Sequence, residues 1–312
     1  MTCRLIVGCG YVGERIAGLW QRQGDTVFAI TRSESRAIEL FEKGFRPIVW
    51  DWLAGDQPLP NDTLRAIREN VPLDLATILI AVSHAAQQNL APQETHVRGL
   101  EHLVKFIRET GFNTELTRWI YLSTTGVFGP SPPGGWVDER SSVSPERPSA
   151  IAALNGEQWI AGNLNANQRV VLRPVGIYGP GRVPRWQVIR DRVPLQVDPE
   201  SYLNLIHVDD LAAVIEAVSG APLQHQLYCV SDGVPVRRRK YYETISELGN
   251  WPAPLFDTLN TTTSVGPNSR REANRRVSNQ RLQSELAVSL QYPSYREGLK
   301  SLITNVGNEP AT

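Results

Sequence analysis

A glycine-rich hexapeptide, "GCGYVG" at Gly8 to Gly13, constrains this chain more than any other feature. It follows the short β-branched run "RLIV" and runs into the helix-patterned segment "VGERIAGLWQRQG". Glycines spaced as G-x-G-x-x-G carry little information alone, but between a strand and a helix they describe a tight βα turn. Gly8 permits the turn, Gly10 leaves the backbone approachable, and Gly13 lets the helix pack closely on the strand. Free amide groups at the start of the helix then form an anion-binding surface.

The rest of the chain repeats this alternation. "TVFAITR", "FRPIVWD", "LATILIAVS", "RWIYLSTTGVFG" and "RVVLRPVGIYGPG" read as strands. Between them lie a polar helix from Ser33 to Lys43 and the helix "PQETHVRGLEHLVKFIRETG", whose Val97, Leu100, Val104 and Ile107 share one face. Apolar strands separated by amphipathic helices predict an α/β fold with a doubly wound parallel sheet covered on both sides. After about residue 178 the alternation weakens into short strands ("LNLIHV", "QLYCV") mixed with helices. The expected organisation is a dinucleotide-binding domain over 1–178 and a small C-terminal substrate lobe over 179–312. A segment at about 204–230 would return to the first domain. "GPSPPGGW" reads as a surface loop.

Composition narrows the partners. The chain has 312 residues with 32 basic and 32 acidic side chains, so no net charge points to nucleic acid or a membrane surface. Its longest apolar run, "LATILIAV", is far shorter than the ~20 residues of a membrane helix. Cys3, Cys9 and Cys229 follow no metal-ligand spacing, and their odd number argues against a disulfide framework. A first strand starting by Arg4 leaves no room for a signal peptide, so a soluble cytoplasmic protein with a small-molecule substrate is expected.

Dinucleotide folds that prefer NAD usually place an acid at the end of the second strand, on the ribose 2′-hydroxyl. This chain has Thr31, Arg32 and Ser33 there. A guanidinium with two hydroxyls suits a 2′-phosphate, so NADP is expected over NAD. Glu34 is the one nearby acid that would reach a ribose instead.

With "STTGVFG", "RPVGIYGPGR" and "IHVDDLA" added, the sequence resembles the extended short-chain dehydrogenase/reductase superfamily, the NAD-dependent epimerases and dehydratases. It is most similar to the atypical members that begin "GCGYVG" and end in a "YPSYREGL"-type segment. The resemblance implies a Rossmann-type sheet with a cofactor held by Gly8, Gly10, Tyr11, Val12 and Gly13. It places Asp51 near the adenine, Ala81, Val82 and Ser83 along the cofactor, and Pro174 to Ile177 at the nicotinamide end. It also implies a possible homodimer formed through two long helices.

The same resemblance exposes a departure. The superfamily's catalytic tyrosine and lysine lie four residues apart, with a glutamate four residues beyond the lysine. Anchored on Glu157, these positions fall on Ser149 and Ala153, in the segment "RPSAIAALNGEQW". Neither replacement is a usable acid or base, and Ser149 reads instead as the cap of the helix. The remaining catalytic hydroxyl falls on Thr124, or on Ser123 if the register is off by one. The proton donor would come from elsewhere, with Tyr178 preferred and His84, Asp138, Glu139, water or a substrate phosphate as the other sources. Tyr178 is as readily a packing residue and His84 a helix cap. His207, Asp209 and Asp210 read as structural. Arg182, with the clusters at 237–240 and 270–276, is a candidate for substrate anions, and His84 a further substrate contact. A protein that binds NADP as a sensor or scaffold, without chemistry, is the alternative to an oxidoreductase or epimerase.

Overall fold

The computed structural model describes residues 2–54, 61–68, 73–83, 91–130, 132–257 and 274–306. Strand β1 (Cys3–Val7) leads through the glycine turn into helix α1 (Tyr11–Arg22), then β2 (Thr26–Thr31), α2 (Glu34–Glu42) and β3 (Arg46–Val49). Next come α3 (Asn61–Arg68), β4 (Leu75–Ile80), α4 (Thr95–Thr110) and β5 (Arg118–Leu122). Short β6 (Gly135–Val137) precedes α5 (Pro148–Asn163), β7 (Arg169–Pro174) and β8 (Gly176–Tyr178). The remainder is α6 (Trp186–Arg190), β9 (Tyr202–Leu203), β10 (Leu205–His207), α7 (Val208–Gly220) and β11 (Leu227–Val230). It is completed by β12 (Val236–Arg237), α8 (Arg238–Gly249), β13 (Arg275–Val277), α9 (Gln280–Leu286) and α10 (Tyr295–Val306).

Seven strands form one sheet in the order β11-β7-β5-β4-β1-β2-β3, parallel from β7 through β3. Such a sheet is apolar along whole strands because helices cover both faces, and Leu5, Ile78 and Ile120 are fully buried. The chain crosses from one half of the sheet to the other beside β1, so the glycine turn lies at the point where strand order reverses. That is where open α/β sheets bind ligands. This is the Rossmann-type doubly wound arrangement expected from the sequence.

The chain divides into two compact units. The first comprises residues 1–127, 145–173 and 212–228. Its core packs Trp50, Phe106, Trp119 and Tyr121 around the sheet. Arg4 ties its ends together, donating to Asp25 at 2.7 Å and to Ser219 at 2.9 Å. The second comprises residues 128–144, 174–211 and 229–312. Its core gathers Tyr178, Leu205, Tyr241, Tyr242, Tyr295 and Leu299. Two parallel pairs (β8 with β10, β6 with β13) and one antiparallel pair (β9 with β12) organise it. Against the expected boundaries, the stretch 128–144 belongs to the second unit, that unit resumes at Pro174 rather than at residue 179, and the segment returning to the first unit is 212–228 rather than about 204–230.

Candidate functional site

The glycine turn is built from its own backbone. Gly8 has φ +90°, a conformation that side chains strongly disfavour, and its amide and that of Cys9 donate to the carbonyl of Ile30 at 3.3 Å. A Cβ on Gly8 would also lie 2.9 Å from the carbonyl oxygen of Ala81. At Gly13 a Cβ would lie 2.8 Å from the carbonyl oxygen of Gly8, so α1 sits too close to the turn for any side chain. At Gly10 the situation is opposite: a Cβ would meet nothing within 4 Å. Gly10 is therefore not needed for packing and leaves open space at the N-terminus of α1. A dinucleotide's pyrophosphate fits that cradle, where backbone amides and the helix dipole meet. Tyr11 and Val12 are half-buried in the first turn of the helix.

Two other predicted cofactor residues, Ala81 and Val82, lie against this turn. Ala81 donates its amide to the carbonyl of Val7 at 2.8 Å, and Val82 would touch a Cβ on Gly8 at 2.9 Å. Ser83, the next residue, is exposed. At the end of β2, Thr31 is half-buried while Arg32 and Ser33 are exposed. Ser33 caps α2, accepting from the amide of Arg36 at 3.3 Å. Arg32 has no ion-pair partner among the described residues. Glu34 lies in the first turn of α2. Asp51 accepts from the amide of Leu53 at 3.0 Å and so closes its own turn. His84 lies outside the described residues. Pro174, Ile177 and Arg182 belong to the second unit, where Pro174 is buried, Ile177 half-buried and Arg182 exposed.

The structure distinguishes the two hydroxyls at the end of β5. Ser123 is buried and donates to the Glu157 carboxylate. Arg173 grips the same carboxylate at two points, Nε–Oε1 3.0 Å and Nη2–Oε2 2.6 Å. Ser123 is thus committed to a buried network joining β5, α5 and β7. Thr124 is half-buried, and its Oγ1 accepts from the amide of Gly126 at 3.0 Å. Its own O–H finds no acceptor among the described residues, which leaves it able to donate to a ligand.

Helix α5 starts two residues earlier than a Ser149 cap requires. Pro148 occupies its first turn, Arg147 stands at the cap position without capping the helix through its side chain, and Ser149 is exposed inside the helix. Proline's fixed φ and missing N–H suit that first position, which explains the shift. Ala153 is buried, and its carbonyl accepts the Tyr121 hydroxyl at 3.3 Å. Tyr121 also meets His96 Nδ1 at 2.5 Å, and burial holds its hydroxyl well above the ordinary tyrosine pKa. Behind Ala153 the Tyr121 and His96 rings pack edge-on, 5.9 Å apart.

Three expected proton donors take other roles. Tyr178 is fully buried, with its ring edge-on to His207 at 5.2 Å and its hydroxyl where a Cβ on Gly298 would stand. Burial, followed by the charges of Asp232, Asp210 and Glu297, raises its pKa far above the usual value. A general acid must reach its substrate, so Tyr178 is a core residue and not the donor. Glu139 accepts from the amide of Cys229 at 2.7 Å and lies 3.7 Å from Arg281, which makes it a strut of the second unit. Asp138 is partly buried, which disfavours its charge. Hydrogen bonds from the backbone and side chain of Arg140 and from Ser141 outweigh this and hold its carboxyl below the usual range.

His207 is buried beside Asp209, 3.5 Å away, and Asp210 accepts the amides of Gln291 and Tyr292 at 2.6 and 3.1 Å. In the arginine clusters, Arg237 lies over Tyr202, Arg238 is buried against Ser201, and Arg239 pairs with Glu200. Arg275 is buried and Arg276 lies over Trp136, while residues 270 and 271 are outside the described set.

Over residues 5–226 the chain matches the NAD dependent epimerase/dehydratase family, and it belongs to that family. A curated relative is Protein YeeZ of Escherichia coli strain K12, 24% identical over 57% of this chain and 61% of that protein. The match thus spans about six-tenths of that relative's length. A conserved protein of unknown function from Silicibacter pomeroyi superposes with a TM-score of 0.76 at 25% identity, covering 98% of this chain and 99% of that one. The UDP-glucose 4-epimerase of Thermus thermophilus, solved with NAD, shares the fold at TM-score 0.74 and 18% identity, covering 99% and 100%. Among the described residues no helix is long and apolar enough to cross a membrane.

Proposed function

We propose that this chain is an NAD(P)-dependent oxidoreductase or epimerase/dehydratase-like protein that prefers NADP and dispenses with the tyrosine–lysine pair. The observation that carries the reading is the open space at Gly10 between two glycines whose side-chain positions are closed. Gly8, Gly10, Tyr11, Val12 and Gly13 would hold the pyrophosphate, and Arg32 with Ser33 and Thr31 the 2′-phosphate. Asp51 would lie by the adenine, with Ala81 to Ser83 along the cofactor and Pro174 and Ile177 at its nicotinamide end. A nicotinamide cofactor supplies or takes up hydride.

The chain's own contribution to chemistry is the Thr124 hydroxyl, which would donate a hydrogen bond to a carbonyl and polarise it. The carbonyl belongs to a small compound or a sugar nucleotide, the substrate class of relatives such as the epimerase above. Arg182 would hold an anionic part of it. The proton then comes from water or from a phosphate of the substrate itself. A homodimer through the long helices fits the same reading.

A second reading, an NADP-responsive sensor without turnover, is favoured by Ala153 and by the burial of Tyr178. One series of measurements separates the two. NADP and NAD are titrated into the chain, and NADPH oxidation is followed over a panel of carbonyl and sugar-nucleotide substrates. Tighter NADP binding, with turnover that Thr124→Ala abolishes, is the expected result. Binding without turnover selects the sensor, and failure to bind either dinucleotide overturns both.

A further inference from the structure

The second unit contains a cavity of about 870 Å³ whose walls come entirely from its own residues, between β6, the loop after β11 and helix α9. Its size falls in the range of sites for small organic ligands. Both carboxylates in its wall have their partners within the protein. Asp138 is held by Arg140 and Ser141. Asp232 is buried, accepts from the amides of Val234 and Tyr295, and keeps its Oδ2 out of reach of the cavity. Burial raises its carboxyl to about 7. Among the described residues no lysine, arginine or histidine lines the space. A cation therefore finds no accessible unpaired carboxylate there and an anion finds no counter-charge, so the walls select for a neutral ligand.

What the walls offer is one flat apolar surface and a set of neutral hydrogen-bonding groups. Trp136 is 55% exposed, although tryptophan is on average among the most buried side chains. The guanidinium of Arg276 lies over its ring at 4.8 Å and is itself pinned, its Nε donating to the carbonyl of Gly134 at 2.8 Å. Arg276 does not line the cavity, so it backs the ring face turned away from that space and fixes the indole in place. Gln280 and Gln283 stand three residues apart at the start of α9 and so share one side of it. Both are exposed, and their side-chain amides have no partner among the described residues. An amide side chain donates and accepts at once, which matches the two roles of a hydroxyl. Val288 and Leu290 complete the apolar part of the wall.

We infer that this cavity binds a neutral saccharide, with one pyranose ring stacked on Trp136 and its hydroxyls hydrogen-bonded to Gln280 and Gln283. A pyranose has the required two-sided character, with C–H groups on its ring faces and hydroxyls around its edge. An apolar ligand of the same size would leave the two amides covered and unpaired, and a linear polyol has no flat face to lay on the indole. The ligand carries no nucleotide and no phosphate. The site is separate from the dinucleotide site and does not depend on the function proposed above.

The chain has eight tryptophans, so the indole N–H signals of a two-dimensional NMR spectrum can be followed one by one. The signal missing from Trp136→Phe identifies Trp136. The probes are the methyl β-glycosides of glucose, galactose and N-acetylglucosamine, with cyclohexanol and sorbitol as controls. At least one glycoside is expected to shift the Trp136 signal saturably, with a dissociation constant of about 10 mM or tighter. Cyclohexanol and sorbitol should bind at least about tenfold more weakly, since each lacks one half of the match. Trp136→Ala, and separately Gln280→Ala with Gln283→Ala, change exposed positions only. Each should weaken glycoside binding at least about tenfold, read from the glycoside's own signals by saturation transfer. No shift of the Trp136 signal with any glycoside, equal binding of either control, or glycoside binding that survives both sets of substitutions would overturn the site.

Discussion

Arg173 and Glu157 face each other across the interior of the first unit in a two-point ion pair, both side chains more than nine-tenths buried. One residue comes from β7 and the other from α5, and Ser123 of the β5 end completes the carboxylate's partners. Removing one member leaves the other charge buried and uncompensated, which typically costs about 3–5 kcal/mol. Arg173→Met is therefore expected to lose stability of that order in urea denaturation. The double variant with Glu157→Met should lose much less than the sum of the two single changes. A cost below about 1 kcal/mol for Arg173→Met would show that the pair is unimportant.

The three glycines of the turn should separate cleanly. Gly10→Val puts its side chain into open space, so the protein should keep its thermal midpoint and lose cofactor affinity. Gly13→Ala drives a Cβ against the Gly8 carbonyl and should lose stability and affinity together. Unchanged NADP affinity in a folded Gly10→Val protein would remove the dinucleotide reading.

In the proposed reading, cofactor choice rests on Arg32. A charge-assisted contact to a 2′-phosphate is worth roughly 1.5–3 kcal/mol, so NADP should bind about tenfold or more above NAD. Arg32→Ala should bring the two affinities together, as read by parallel fluorescence titrations. A preference that persists in Arg32→Ala would assign the selectivity elsewhere.

The variant Ser149→Tyr with Ala153→Lys tests the tyrosine–lysine pair that the resemblance assigns to these two positions of α5. Ser149 is exposed and receives tyrosine freely, whereas Ala153 is buried and the lysine must find a path out of the interior. In a folded double variant, NADPH-dependent turnover is expected to rise above that of the natural chain. No gain in a folded, cofactor-binding variant would mean that more than these two side chains has been lost.

Asp232 should leave a mark on stability against pH. Its folded-state pKa of about 7 lies above the ordinary 3.8, so the native state holds a proton that the unfolded state has released. Its contribution therefore falls as pH rises from about 4 to about 7 and levels off above. The full shift sets an upper bound of roughly 4 kcal/mol. Asp232→Asn should flatten the dependence of the thermal midpoint between pH 5 and pH 8. An identical slope in both proteins would show that the carboxyl is not perturbed.

The sheet was legible in the sequence because a parallel strand covered on both faces has to be apolar along its length. β2 and β4, which carry no charged residue, show this. The glycine turn was legible because its spacing encodes a backbone shape. Tyr178 was not, since its burial depends on Tyr241 and Leu299, more than sixty residues away in the chain. Ser149 misled because a serine near a helix start resembles a cap, while the neighbouring proline sets where the helix begins. Arg173 went unrecognised as the partner of Glu157, although an arginine within "RVVLRP" and a glutamate within "AALNGEQW" are charges in segments bound for the interior. The pairing of β6 with β13 joins two three-residue strands 138 residues apart, too short to show a pattern.

Arg4 hydrogen-bonds Ser219, and Trp20 donates to Glu216, both within the first unit. A chain emerging from the ribosome therefore cannot finish this unit when its glycine turn and first four strands are made. The strand-forming segments to Arg173 must wait, partly covered, through another 38 residues before the unit's last segment, which holds most of α7, begins at Ala212. Vectorial synthesis thus holds open a window in which the nascent sheet lacks a covering helix and its neighbouring edge. That window is where chaperone capture and aggregation would compete with folding, and a fragment ending at residue 178 would never leave it.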